Sequence, residues 1–300
     1  MGVASRMKAA PFDYVSPTSV EQVTRFLSAG DGDAIVLAGG QSLMPMLAMR
    51  MARPEMVIDI NNVSELAGIE ETNGEIVIKT CTRQADALAS PVIQQHLPLL
   101  ASALAFVGHT QTRNRGTIGG SLAHADPASE IPLVALTMDA EVTLQSTSTS
   151  RRVAISKFFT GPMMTIREPE ELLVSLHFTL PQLGARVGTG FHEMSERHGD
   201  FAMVAVAARI ELDDHGACKA AALSFGGVDA LPVRIAALED TLISNVIDDA
   251  VVEAALAGIP SGIDPATDQH ATADYRHRVA KTLAKRAIAD AMLAAKRGAA

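Results

Sequence analysis

Two glycine pairs, each with a serine close behind, are the parts of this 300-residue chain best suited to chemistry. The first is Ala38-Gly39-Gly40-Gln41-Ser42, at the end of an apolar run that starts at Ala34 and includes Leu37. Glycine has no Cβ, so its backbone can take left-handed angles and lie close to a ligand. Successive N–H groups in such a turn can converge on one anion, and Ser42 adds a hydroxyl. The pattern suits a diphosphate and needs no lysine. Its alternative is an ordinary tight turn between a strand and a helix. The second pair lies in Arg113-Asn114-Arg115-Gly116-Thr117-Ile118-Gly119-Gly120-Ser121. Thr117 and Ser121 flank it with hydroxyls, and Arg113 and Arg115 are either phosphate contacts or loop braces. Asp126-Pro127 then favours a turn. Glu130 follows, either as a carboxylate at a helix N-terminus or as an acceptor for sugar hydroxyls. A third run, Gly190 to Ala202, holds two histidines and two glutamates, but their spacing reads better as a strand end than as a metal site. His124 likewise has no partner at metal spacing.

Other chemistries are disfavoured. No GxGxxG follows a strand, and neither glycine pair opens a GxxxxGK[ST] loop. The only cysteines, Cys81 and Cys218, are too few for an iron–sulfur cluster, which takes about four ligands. A disulfide framework is equally disfavoured, which suits a reducing cytoplasm. The net charge of −9 and the lack of a dense basic run argue against nucleic acid. Met1 to Pro11 lacks the apolar core of a secretory signal. No run of about 18 apolar residues predicts a transmembrane helix. With 48% hydrophobic and 20% charged residues, the chain can bury more than one core, so two or three packed units are expected.

The elements that must hold these loops follow from patterning. Thr18 and Glu21 resemble a capping box for a helix ending at Gly30. Strands are expected at 34–38, 56–60 and 75–79, the last after an Asn73-Gly74 hairpin turn. The Met-rich stretch 43–51 reads as a helix after the first glycine turn. Thr82 is a candidate cap for a helix through Leu88, and a further helix is expected over 99–106. Residues 110–130 lack periodicity and read as a long functional loop. Strands resume at 140–145 and 172–179. Pro181 to Gly184 reads as a boundary. Beyond it come a strand meander (189–194, 203–212, 217–225) and helices at 249–256 and 272–297.

Taken in order, Ala-Gly-Gly-x-Ser at 38–42, Arg-Asn-Arg-Gly-Thr-Ile-Gly-Gly at 113–120, Asp-Pro at 126–127 and Gly-Asp-Phe-Ala at 199–202 resemble the FAD-binding subunits of the xanthine dehydrogenase and aerobic carbon monoxide dehydrogenase family. Phe12-x-Tyr14-x-x-Pro17 is similar to that family's opening, and the resemblance runs from about residue 10 to 290. It implies an α/β and α+β architecture: a two-lobed FAD-binding domain of the vanillyl-alcohol-oxidase type at 1–180, with lobes 1–56 and 57–180. A small α+β C-terminal domain follows at 181–300. It implies non-covalent FAD on Leu37, Ala38, Gly39, Gly40, Gln41, Ser42 and Leu43, and on Thr117, Ile118, Gly119, Gly120 and Ser121. Val107, Asp126 and Glu130 complete the set, with Leu173 beside the ring. His192 falls where the xanthine enzymes carry a flavin-proximal lysine, and His192 or Glu193 is the candidate to face the flavin. Gln41 departs from the histidine common in carbon monoxide enzymes.

The resemblance further implies an electron-relay subunit with no catalytic acid–base pair. A small [2Fe–2S] subunit and a large molybdenum-pterin subunit would be its partners, in a cytoplasmic dimer of heterotrimers. A stand-alone FAD oxidase of the same fold and a non-enzymatic nucleotide-binding protein are the alternatives. Replacing Gly40 or Gly119 by a bulky residue is expected to abolish FAD retention with limited loss of fold.

Overall fold

The computed structural model describes residues 8–297. The reading of the N-terminal segment as lacking a signal falls mostly on residues 1–7, outside the described residues. The first lobe is a parallel sheet in which β1 (Asp13–Val15) and β2 (Ala34–Leu37) flank the central β3 (Met56–Asp59). Helix α1 (Val20–Ala29) joins β1 to β2, and α2 (Leu43–Ala48) follows the first glycine turn. Ser19, not Thr18, caps α1: its hydroxyl accepts the Gln22 N–H at 3.3 Å. Val20, Val23 and Leu27 recur at helical spacing and bury one face of α1. Because β3 is the central strand, this lobe extends past the division expected near residue 56.

The central lobe opens with the hairpin β4 (Ile69–Thr72) and β5 (Glu75–Lys79). Asn73 (φ 49°) and Gly74 (φ 78°) turn it, as a two-residue hairpin loop requires. Five helices come next: α3 (Gln84–Ala89), α4 (Pro91–His96), α5 (Pro98–Leu104), α6 (Thr110–Arg115) and α7 (Ile118–His124). Then α8 (Glu130–Thr137) leads to β6 (Glu141–Gln145), β7 (Ser150–Ala154), α9 (Ile155–Phe158), the small hairpin β8 (Phe159–Gly161) with β9 (Met164–Thr165), and β10 (Leu172–Thr179). The lobe's sheet runs β4-β5-β10-β6-β7 and is antiparallel. Thr82 does not cap α3; its hydroxyl donates to the Gly68 carbonyl at 2.8 Å. Residues 110–130 are not an irregular loop but hold α6 and α7 and end where α8 starts. All eight residues of α8 are buried, so it presents no amphipathic period to a sequence reader.

The C-terminal unit is an antiparallel meander: β11 (Arg186–Met194), β12 (Val204–Leu212), β13 (Cys218–Gly226) and β14 (Val233–Arg234). Helices α10 (Ala236–Leu242), α11 (Asp249–Leu256), α12 (Ile259–Gly262) and α13 (Ala273–Arg297) follow. Alternate residues of its strands point to opposite faces. One face (Val204, Val206, Ala208, Ile210) packs with α13 residues such as Ala280, Leu283, Ala284, Ala287 and Ile288 in a separate core. The other face (Phe191, Ala205, Ala207) joins the core of the central lobe, beside Leu133, Val134 and Leu176. The meander is therefore a wall between α13 and the central lobe. Among the described residues no helix is long and apolar enough to cross a membrane.

Candidate functional site

A cavity of about 540 Å³ opens between the first and central lobes, with the 199–201 turn of the C-terminal unit at its edge. Its size is in the range of small-molecule and cofactor sites. It is built from the two glycine loops, which the fold sets side by side: a Cβ placed on Gly120 would lie 3.9 Å from the Ala38 Cβ.

The first loop is the donor side. Gly40 takes φ +72°, an angle other residues enter with strain. Gly39 lies under the second loop, where a side chain would overlap the Arg115 carbonyl and come within 2.8 Å of the Gly116 Cα. Among the described residues, the N–H groups of residues 39–43 have no acceptor within the chain. Five consecutive donors with no acceptor in the chain, set at a cavity wall, are a cradle for an anionic group. The Gln41 side chain folds back to donate to the Gly39 carbonyl at 3.0 Å.

The second loop is braced by its own chain. Thr117 caps α7 by accepting the Gly120 N–H at 3.1 Å. The Ile118 and Gly119 N–H groups donate to the Thr82 and Thr80 carbonyls at 3.0 and 2.9 Å. A Cβ on Gly119 would overlap the Thr80 side chain. What this loop offers the cavity is therefore close backbone approach at Gly120 and the hydroxyls of Thr117 and Ser121. Ser121 Oγ lies 2.7 Å from Ser129 Oγ. Arg113 is a brace: it donates to the Val107 and Gly108 carbonyls at 2.9 and 2.8 Å.

Two residues that spacing did not single out tie the loops together. Asn61 donates to the Ala38 carbonyl at 2.9 Å, and the Arg83 guanidinium donates to Asn61 Oδ1 at 2.6 Å and to the Arg115 carbonyl at 2.5 Å. Asp59 orients Asn61, accepting its backbone N–H at 2.9 Å, and also accepts the Tyr14 hydroxyl at 2.7 Å. No local sequence signal marks such residues, because the groups they hold are distant in the chain.

Of the expected contacts, Ala38, Gly39, Gly40, Gln41, Ser42, Leu43, Val107, Thr117, Gly119, Gly120, Ser121, Asp126, Glu130 and Leu173 line the cavity. Three do not. Leu37 supports Gly40 from beneath, 3.2 Å from where its Cβ would be. Ile118 is fully buried in the central core. His192 corrects the expectation of a ring-facing side chain: it turns to α13, where its Nε2 lies 2.8 Å from Asp290 Oδ2. Strand alternation sends its neighbours Phe191 and Glu193 to the opposite face. Phe201 is an additional wall, an aromatic ring 69% exposed at the cavity edge. The Gly-Asp-Phe-Ala motif was the signal for it. Arg167 also lines the cavity, with Nη1 donating to the carbonyls of Glu168, Pro169 and Glu171.

Glu130 opens α8 with only 6% exposure, and burial, followed by repulsion from Asp126, pushes its carboxyl up to about 7. Asp126 itself accepts the Ala128 N–H at 2.8 Å and shapes the turn. The unpaired donors, the glycine walls and a buried carboxyl lining the cavity fit a dinucleotide of FAD type: donors for its diphosphate, an acceptor for its hydroxyls, and apolar walls at Leu173 and Val107 for its rings.

The comparisons agree with this geometry. Residues 10–182 match the family described as FAD binding domain in molybdopterin dehydrogenase, and residues 189–291 match the CO dehydrogenase flavoprotein C-terminal domain. The chain is 40% identical over 286 residues to the 6-hydroxypseudooxynicotine dehydrogenase complex subunit alpha of Paenarthrobacter nicotinovorans, covering 95% of this chain and 96% of that one. It is 32% identical over 277 residues to the carbon monoxide dehydrogenase medium chain of Hydrogenophaga pseudoflava, covering 92% and 96%. Among solved structures, carbon monoxide dehydrogenase from Hydrogenophaga pseudoflava lacking the Mo-pyranopterin moiety superposes with a TM-score of 0.91 at 33% identity, covering 95% and 99%. Quinoline 2-oxidoreductase from Pseudomonas putida 86 does so at 0.90 and 34%, covering 96% and 99%. With its cleft shaped for FAD and both of its halves matched over nearly their full length, the chain belongs to the family of FAD-binding medium subunits of the xanthine dehydrogenase and carbon monoxide dehydrogenase type, the molybdenum hydroxylases.

Proposed function

We propose that this chain is the electron-relay subunit of its complex: it takes electrons from the [2Fe–2S] clusters of a small partner subunit and passes them to an external acceptor. A large partner subunit with a molybdenum-pterin cofactor would act on the organic substrate, in a dimer of heterotrimers. Bound FAD supplies the link between one-electron delivery and two-electron export. The chain's own residues bind and orient it. The N–H groups of 39–43 meet the diphosphate charge, and Ser42, Thr117 and Ser121 add hydroxyls. Gly120 permits close approach, Glu130 and Asp126 face the sugar-like chain, and Val107 and Leu173 exclude water from the rings. The row of five unpaired backbone donors carries this reading. Two cysteines cannot hold a [2Fe–2S] cluster, so the clusters belong to another chain.

The test is the visible spectrum of the purified chain with identification of the released cofactor, and metal analysis of the complex that co-purifies from its native source. Oxidised-flavin bands, FAD on denaturation, and iron and molybdenum in the complex are the expected result. FAD without either metal would point instead to a stand-alone oxidase. A colourless chain that takes up no added FAD would remove the proposal.

A further inference from the structure

Arg276, in the first turn of α13, is the only cation among the described buried residues. A charge taken out of water is costly unless it is paired and hydrogen-bonded, and the partners of this one come from three separate loops. Its Nη1 donates to the Met203 carbonyl and, at 2.8 Å, to the Gly227 carbonyl. Its Nη2 donates to Asp268 Oδ2 at 2.7 Å. Asp268 is fixed in turn, because its Oδ1 accepts the His270 and Ala271 N–H groups at 2.9 and 3.0 Å. The Ala271 and His270 N–H groups, with Arg276 beside them, hold this carboxyl down at about 2, so the counter-charge is present at neutral pH.

Both carbonyls that Arg276 holds lead to the cleft. Met203 closes the loop between β11 and β12, where its N–H donates to the Met194 carbonyl at 2.8 Å. Two residues before it stands Phe201, and Gly199, Asp200 and Phe201 line the cavity. Gly227 lies against the same segment: a Cβ on it would be 2.8 Å from the Met203 carbonyl oxygen and 2.9 Å from that of Ala202. The Gly227 N–H donates to the Pro127 carbonyl at 3.0 Å, next to the cavity-lining Asp126. The guanidinium thus completes a chain of bonds from the central lobe, through Gly227, to the base of the cleft-edge turn. On its other side the turn rests on the His109 ring, 2.7 Å from where a Gly199 Cβ would be. We infer that Arg276, fixed by Asp268, is a positioning residue for the cleft: it holds the Gly199–Phe201 turn at the cavity mouth, where the Phe201 ring shields the bound cofactor from solvent. This rests on the flavin reading of the cleft. The physical reason is that Phe201, 69% exposed, has little packing of its own to hold it. Its place is set by the backbone on either side, and the Gly199 before it, at φ +90°, gives that backbone freedom. A segment with few buried contacts is held by its hydrogen bonds.

The test uses the FAD-loaded full chain, with two readouts: the rate of FAD release, and quenching of the flavin emission by iodide, which reports how far solvent reaches the ring. Arg276→Met and Phe201→Ala should each speed release roughly tenfold and raise the quenching. The double variant should go little beyond either single one, because the arginine acts through the phenylalanine. Arg276→Lys, which keeps the charge but not the fork of donors, should restore part of the wild-type behaviour. Asp268→Asn guards against a methionine variant that fails to fold. Its side chain is 45% exposed, and Oδ1 stays to accept the His270 and Ala271 N–H groups while an NH2 donor replaces the oxygen facing Arg276. It should speed release by about threefold and raise the quenching, as expected for a partly exposed ion pair. A brace that serves the fold alone would lower the melting temperature and leave release and quenching at wild-type values, which would overturn the proposal. So would additive effects in the double variant, or a Phe201→Ala chain shielded as well as the wild type. A wild type that binds no FAD at all would instead overturn the flavin reading beneath it.

Discussion

At the scale of single residues, the cleft depends on side chains that never face it. Asn61 and Arg83 hold the Ala38 and Arg115 carbonyls, one from each glycine loop, and hold each other at 2.6 Å. Removing either leaves a partly buried polar partner unpaired and lets the loops drift relative to one another. Such a loss costs about 1–2 kcal/mol, or roughly fivefold to thirtyfold in affinity. Asn61→Ala and Arg83→Ala should each weaken FAD binding by that factor, and the double variant should lose little more than either single one, because they act as one unit. Titration of the apo chain with FAD measures this, and full additivity would show that the two residues work independently.

At the scale of elements, the two glycine loops look alike in sequence and do different jobs. Gly119 has no room for a side chain: its Cβ would overlap Thr80, whose Cα stands 2.7 Å away. Gly40 meets only Met44 Cγ at 3.0 Å and Leu37 Cδ1 at 3.2 Å, atoms of flexible side chains rather than backbone, though its φ is +72°. The equal and fold-sparing effect expected from sequence therefore divides. Gly119→Val should lower the melting temperature by several degrees more than Gly40→Val, since it forces α7 off its strand as overpacking does, at about 1–3 kcal/mol or more. Gly40→Val should stay folded and lose FAD. Thermal melting with flavin quantification on both variants checks this; equal melting temperatures would mean that α7 can shift without penalty.

At the scale of the whole molecule, the chain has a visible seam that is not a line of separation. Leu183 is fully exposed in the 181–185 linker, and Gly184 takes φ +82°, so a protease should cut there. Yet Phe191, Ala202, Ala205 and Ala207, all beyond the seam, belong to the core of the central lobe. Separating the halves would expose that apolar face to water. Limited proteolysis at the linker should give two fragments that co-elute under native conditions and part only in denaturant. Fragments that separate in native buffer would show that the shared core is too weak to hold them.

The sequence by itself determined what depends on near neighbours. Short apolar runs and the Asn73-Gly74 turn placed the strands, the helical patterns at 249–256 and 272–297 placed α11 and α13, and the order of the glycine motifs identified the flavin-binding family. It also located most of the cleft wall, because loops that bind through backbone need glycine at fixed offsets. Tertiary structure decided the rest. Residues 110–130 fold into α6 and α7, helices of six and seven residues that are too short to show a hydrophobic period, and α8, which follows them, is buried on every side. His192 and Glu193 are adjacent in a strand and look equally fit to meet a flavin. The docking of Gly226 against Pro127 determines that Glu193 faces the flavin-binding half and His192 faces α13. Alternation says that the two side chains oppose each other, but only long-range packing selects which face is turned inward.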